Sequence, residues 1–463
     1  MPTETKKKRI LLVNEYSQIK SGFGTYGNQI MNRLYDTGKY ELAEFASAVK
    51  VNDKHDHNVR WMLYANAVTK DHPQINQYNE HGQNQFGKWR FDRVLLDFKP
   101  DIVFDIRDFW MLSFEADTPL RRFFHWAIMP TVDSAPQDDD WIDYFIDADG
   151  VFTYTDWGKK VLEKQGGGQI NLVGTASPGV ELDVFKPVVD KIEHRKKFGF
   201  GPKAFIVGSV MRNQKRKLFP DLIDAFALYL DKCKENGNHE LARNSYLYLH
   251  TSYPDTAGWN FPQILKNSGI SRKVLFTYVC AECSHFFPSN FQDARSICPR
   301  CKNASAILSN VQVGVDRTSL AEIFNCFDLY AQYAICEGFG MSQAEAGACG
   351  VPIMSVDYSA MEDVVDKLQG YPVPVERFFL ELETQAFRAW PDNKACANAI
   401  YHHATLQKHL QEKKATQTRK LTEQYYDYDN IAKTWENYFD SVVPTGLQGK
   451  WDSPPQMIGP PAP

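Results

Sequence analysis

Two glutamates separated by seven residues, Glu337 and Glu345, stand in the stretch Cys336-Glu337-Gly338-Phe339-Gly340-Met341-Ser342-Gln343-Ala344-Glu345-Ala346-Gly347-Ala348-Cys349-Gly350-Val351-Pro352. An apolar run from Leu329 to Ile335, interrupted only at Gln332 and its flanking tyrosines, reads as a buried strand leading into it. Gly338 and Gly340 let the backbone approach a ligand with no Cβ in the way. A helix of small residues begins at about Met341, and its free N–H groups favour an anion such as phosphate. Glu345 lies one turn into that helix and is expected to face the same pocket as Glu337. Two carboxylates beside a phosphate suit hydroxyl groups, as a sugar and a ribose would offer.

A second set of residues follows the strand pattern Ala204–Val210, in Met211-Arg212-Asn213-Gln214-Lys215-Arg216-Lys217, ahead of a helix over Asp221–Leu230. Cations at a strand-to-helix crossing suit a pyrophosphate, Arg212 as a planar fork and Lys217 as a point charge. The third set is Cys280-x2-Cys283 and Cys298-x2-Cys301, separated by fourteen residues. Paired knuckles at this spacing read as a zinc ribbon with four thiolate ligands. A redox dithiol is the competing reading, although one C-x2-C would suffice for that. With all four corners occupied, zinc has no open position, so its role is structural and no catalytic metal is expected.

The elements that must position these groups alternate strand and helix throughout. Ile10–Val13 is a strand, and Ser21-Gly22-Phe23-Gly24-Thr25-Tyr26-Gly27 opens a helix that continues through Leu34. Further strands at Ile102–Phe104, Phe123–Met129 and Gly150–Thr155 place Asp108, His125 and Asp133 at or near strand ends, where open α/β sheets bind ligands. His125 reads equally as a core histidine. Tyr246–Leu249 ends in His250 on the ligand side, and Val274–Thr277 leads toward the cysteines.

The Glu-x7-Glu string, with its Glu-Gly-Phe-Gly start and its Gly-x-Pro end, resembles the donor-site signature of the retaining GT-B glycosyltransferases of family 4. The segment Ser177-Pro178-Gly179-Val180-Glu181-Leu182-Asp183-Val184-Phe185-Lys186-Pro187 resembles that family's interdomain linker, with Glu181 where an aspartate is usual. The resemblance implies an α/β fold of GT-B type, two Rossmann-like domains facing a cleft, with the ribbon inserted in the second. It implies transfer of a sugar from a nucleotide-sugar, UDP- or GDP-linked, to an acceptor hydroxyl with retained configuration. Arg212 and Lys217 would then hold the donor diphosphate, Glu337 the sugar hydroxyls and Glu345 the ribose. Gly338, Phe339, Gly340 and His250 would line the donor site, and the Gly22–Gly24 loop would close over it. Asp133 is the candidate acceptor-side carboxylate.

The resulting division is residues 1–188 for the first domain, with a helix over 423–443 packing back on it, and 189–422 for the second. The ribbon occupies 278–307, at the sheet edge, where it is expected to shape acceptor access. Residues 52–93 read as polar and irregular, 383–421 as mostly helical, and 444–463 as a disordered tail. A net charge of −5 across 463 residues excludes a global pull toward nucleic acid or anionic membrane. No run of membrane-spanning length occurs, and an odd nine cysteines fit a reducing, cytoplasmic compartment. The rival readings are another GT-B enzyme (an epimerase or phosphorylase), a nucleic-acid-binding protein with an inert core, and a transferase acting on a modified nucleobase. Lys88-Trp89-Arg90 permits the last.

Overall fold

The computed structural model describes residues 6–53, 57–292, 295–310 and 313–452. The chain divides into two compact units, one of residues 1–178 with 428–463 and one of residues 179–427.

Among the described residues the first unit holds seven strands: β1 (Lys8–Asn14), β2 (Tyr40–Lys50), β3 (Met62–Ala67), β4 (Ile102–Asp105), β5 (His125–Ile128), β6 (Gly150–Thr153) and β7 (Leu172–Thr175). All pair in parallel, in the order β3-β2-β1-β4-β5-β6-β7. A parallel sheet is covered on both faces, so its strands read as unbroken apolar runs, and Ile10–Val13 is wholly buried. β3 lies within the segment expected to be irregular. Its single buried position explains why no run marks it. The helix Tyr428–Ser441 belongs to this unit, where the Trp435 ring packs tilted against Phe152 at 4.2 Å and its Nε1 donates to the Tyr26 hydroxyl at 2.7 Å.

Residues 444–452, read from the sequence as part of a disordered tail, are among the described residues. Trp451 is buried, packs 5.2 Å from Phe123 and donates from Nε1 to the Pro100 carbonyl at 2.9 Å. One aromatic side chain with a satisfied N–H is enough to dock a segment whose composition is otherwise that of a loop. Residues 453–463 of that tail lie outside the described residues.

The second unit holds β8 (Phe205–Val210), β9 (Ser245–His250), β10 (Val274–Cys280), β11 (Phe286–Asn290), β12 (Ala306–Leu308), β13 (Leu329–Gln332), β14 (Ile353–Val356), β15 (Tyr371–Val373), β16 (Val375–Glu381) and β17 (Ala386–Pro391). The main sheet runs β11-β10-β9-β8-β13-β14-β15, with β12 also on β10. Only β11 and β12 are antiparallel to β10. β10 therefore runs past Thr277 to Cys280 and carries the first knuckle on its own end. The expected helical span from 383 instead begins with β17, paired to β16 as a hairpin, before the helices Asn393–Thr405 and Lys408–Tyr425. Phe378, Leu380 and Phe387 are exposed on this hairpin, so no one-sided apolar pattern announced it.

Candidate functional site

β8 and β13 are neighbours in the second sheet, and the loops leaving their C-terminal ends pair with each other. Leu218 N donates to Tyr333 O at 2.9 Å and Ile335 N donates to Arg216 O at 3.0 Å. This pairing brings the Lys217 ammonium into an ion pair with Glu337, and both side chains are under a tenth exposed. Arg216 Nη1 donates to Glu337 Oε2 at 2.9 Å and to the Cys336 carbonyl at 3.2 Å. Gln332 Nε2 donates to the same oxygen as Lys217, and Gln332 Oε1 accepts from the Tyr330 hydroxyl at 2.6 Å. Oε1 of Glu337 is thus filled by two donors, while Oε2 keeps one lone pair beyond Arg216. The Glu337 backbone N–H donates to Ser359 Oγ at 3.0 Å.

Gly340, at φ +80°, turns the chain into the helix Met341–Ala348. A side chain there would sit 2.7 Å from Gln343 Nε2, so only glycine fits the turn. Gln343 is fully buried. Its Nε2 donates to the Phe339 carbonyl at 3.1 Å. Phe339 packs edge-on to Tyr426, with ring centres 5.4 Å apart.

The other sequence-derived residues distribute as follows. Arg212 is exposed and ion-paired with Asp255 at 3.1 Å. His250 closes β9 and shares a 2.9 Å hydrogen bond with Thr277 Oγ1, and burial pushes its pKa down to about 4. Glu345 is buried, 3.4 Å from Arg317, which also pairs with Glu181. Burial raises the Glu345 pKa, Arg317 opposes the shift and Glu181 adds to it. Glu337 and Glu345 therefore have separate cationic partners. Arg216 and Arg317 were not singled out from sequence, because nothing in their local spacing distinguishes them from solvated cations.

In the first unit, Ser21 caps the helix Gly22–Asp36 by accepting from Gly24 N at 3.0 Å. A Cβ on Gly24 would lie 2.4 Å from the Ile19 carbonyl oxygen, so this glycine closes its own loop. Asp133 is half-buried and accepts from Ser134 Oγ at 2.9 Å. His125 stands at the start of β5 and bonds the Tyr438 hydroxyl at 2.7 Å, which makes it a satisfied core group. Arg90 donates to the Ala65 carbonyl and lies over Trp89, so the Lys88-Trp89-Arg90 group is partly spent on its own unit. Arg107, fully buried and paired with Asp105 and Glu115, fixes the chain just beyond β4.

The four cysteines converge. Their sulfur atoms all lie within 4.8 Å of one another, with Cys280–Cys301 at 3.6 Å and Cys283–Cys298 at 3.7 Å. Tetrahedral zinc with bonds of about 2.3 Å requires sulfur separations of about 3.8 Å, so the set fits. Each knuckle closes the same way: Ser284 N donates to Cys280 O at 3.0 Å and Lys302 N to Cys298 O at 2.9 Å. Ser284 and Lys302 both have positive φ, at 54° and 65°. This cluster can hold a metal ion.

Comparison with solved structures decides the architecture. Sucrose-phosphate synthase from Thermosynechococcus elongatus superimposes with TM-score 0.67 at 14% identity, covering 94% of this chain and 98% of that one. The fold is GT-B. HepE from Anabaena, in complex with UDP and glucose, gives TM-score 0.62 at 13% identity over 94% of this chain and 100% of its own. WaaG, a glycosyltransferase involved in lipopolysaccharide biosynthesis, gives 0.59 at 11% identity over 94% and 100%. No family model and no curated protein matches the sequence. Each GT-B unit here is built on a parallel α/β sheet, extended in the second by the antiparallel strands β11 and β12, and the second carries the cysteine cluster. No helix among the described residues is long and apolar enough to cross a membrane.

Proposed function

We propose that this protein is a glycosyltransferase of the family 4 type, moving a sugar from a UDP- or GDP-sugar to an acceptor hydroxyl with retention. The observation that carries the reading is the buried Lys217–Glu337 pair, with the half-exposed Arg216 on the same carboxylate, beside the N-terminus of the helix Met341–Ala348 at the C-terminal edge of a parallel sheet. Oriented helix N–H groups and preplaced cations stabilise charge that develops on a departing diphosphate. Glu337 holds Lys217 and Arg216 in place and keeps one acceptor position for a sugar hydroxyl. Glu345 accepts from ribose, and Arg212 reaches the diphosphate as a fork. In a retaining enzyme of this type the acceptor attacks from the face the diphosphate leaves, and the leaving phosphate takes its proton, so no protein nucleophile is needed. Asp133 is assigned to the acceptor side. The four thiolates hold a structural zinc, which supplies folding energy to a ribbon with little core of its own.

A thermal-shift screen against nucleoside diphosphates, followed by donor hydrolysis and transfer assays with the matching nucleotide-sugars, tests this. A UDP or GDP response is expected, with the product anomer matching the donor. Calorimetry of Arg212→Lys should show weaker nucleoside diphosphate binding with little change for the nucleoside. Absence of both stabilisation and hydrolysis across the panel would overturn the proposal.

A further inference from the structure

The ribbon reaches the cationic loop through two sets of contacts. Phe291, just past β11, packs 5.5 Å from Phe276 and 5.3 Å from Tyr253. Phe276 continues through Phe261 at 5.1 Å to Phe219 at 5.3 Å, two residues beyond Lys217. Tyr253 begins the other route, since it opens a loop that lies along residues 212–217. In that loop Asp255 pairs with Arg212, and Ala257 O accepts from Lys215 N at 3.1 Å. Trp259 N donates to Asn213 Oδ1 at 2.8 Å, its Nε1 donates to Lys217 O at 2.6 Å, and its ring lies 4.2 Å from the Lys215 ammonium. Every cation of the loop except Arg216 is therefore tied to residues 253–261 or to the aromatic row behind them.

We infer that the metal ribbon is a brace for the diphosphate-binding loop, with Phe291 as its positioning residue, so that metal occupancy sets donor affinity. The arm bearing Phe291 is held at one end by β11 on β10 and by Gln292 N donating to the Tyr278 hydroxyl at 2.8 Å. Ser296, farther along the chain, bridges Ala306 at the start of β12. The first knuckle closes the turn from β10 into β11 and the second stands just before β12 on the same β10, so an ion shared by the four thiolates ties together the strands that carry the arm. Loss of that tie loosens β11, and a shift of Phe291 passes to Tyr253 and, through its loop, to Asp255 and Trp259. The ribbon in this reading acts on the donor side, a role distinct from shaping acceptor access.

The inference rests on the nucleotide-sugar reading of the site, and the experiment separates the two. Calorimetry on the full chain uses UDP and GDP, with uridine and guanosine as the matched nucleosides. Metal content is measured on every sample and fold is checked by circular dichroism. Phe291→Ala should keep the metal yet lower the ratio of diphosphate to nucleoside affinity by about tenfold. Trp259→Phe, which loses only the Nε1 donor, provides a second variant if Phe291→Ala fails to fold and should shift the same ratio in the same direction. Chelation of the wild-type protein should reproduce the loss, and re-addition of zinc should restore it. A folded, metal-loaded Phe291→Ala with the wild-type ratio overturns the brace while leaving the functional reading standing. A wild-type protein that binds neither diphosphate takes down both.

Discussion

Lys217 and Glu337 lie 120 residues apart in the chain and form a buried ion pair because β8 and β13 are neighbours in the second sheet. Removing one partner of such a pair leaves an uncompensated charge. Glu337→Ala should cost about 3 kcal/mol in denaturant unfolding. It should also slow donor hydrolysis by about a hundredfold, as expected when preplaced electrostatics is lost. A variant with wild-type stability and rate would show that the pair organises nothing.

Glu345 is buried and its pKa is raised in the folded protein, chiefly by desolvation. The favourable contribution of its protonated form is complete below the ordinary carboxylate range, about pH 4.3, and is lost as pH rises through the folded pKa. Glu345→Gln should therefore raise the melting temperature at pH 7, with the gain vanishing toward pH 4. Arg317 keeps its second partner, Glu181, in this variant. Nucleoside diphosphate affinity should fall by about tenfold in calorimetry, as a ribose hydroxyl loses a charged acceptor.

His250 and His403 are held neutral by burial, each with a pKa pushed down to about 4. An unfolded histidine titrates near pH 6.5, so between about pH 6.5 and 4 the unfolded chain binds protons that the folded chain refuses. Stability should decline as pH falls through that window. His403→Gln should flatten the slope, because His403 is one of the groups responsible. Chemical denaturation at intervals of pH reads this directly, and an unchanged slope would remove His403 from the account.

Trp451 fills a place against Phe123 and Pro100 in the first unit. Trp451→Ala should cost about 3 kcal/mol, the range for emptying a buried aromatic site. Truncation after residue 443 should do the same. A truncated chain with unchanged unfolding would mean that the segment rests on the surface without holding it.

Much of this protein is local and therefore legible in its sequence. Parallel strands buried on both faces appear as continuous apolar runs, so β1, β4, β8 and β14 are plain in the residue pattern. The turn at Gly340 and the two C-x2-C knuckles depend on backbone conformation within a few residues, and composition marks them directly. β3 and the β16–β17 hairpin escaped because their exposed apolar and buried polar positions carry no period. Trp451 escaped because a single buried ring in a polar segment makes no pattern at all.

Partner choice belongs to the tertiary structure. Arg216 and Lys217 are adjacent cations of the same apparent kind, yet the pairing of two distant loops turns both onto Glu337 and leaves Arg212 to Asp255. Arg317 meets both Glu345 and Glu181 although 28 residues separate it from the first. Those contacts follow from the sheet order β9-β8-β13-β14, which decides which strand ends lie side by side. Periodicity reports which face of an element is buried. Which charged side chains from remote loops then meet is fixed only when the strands are set next to one another.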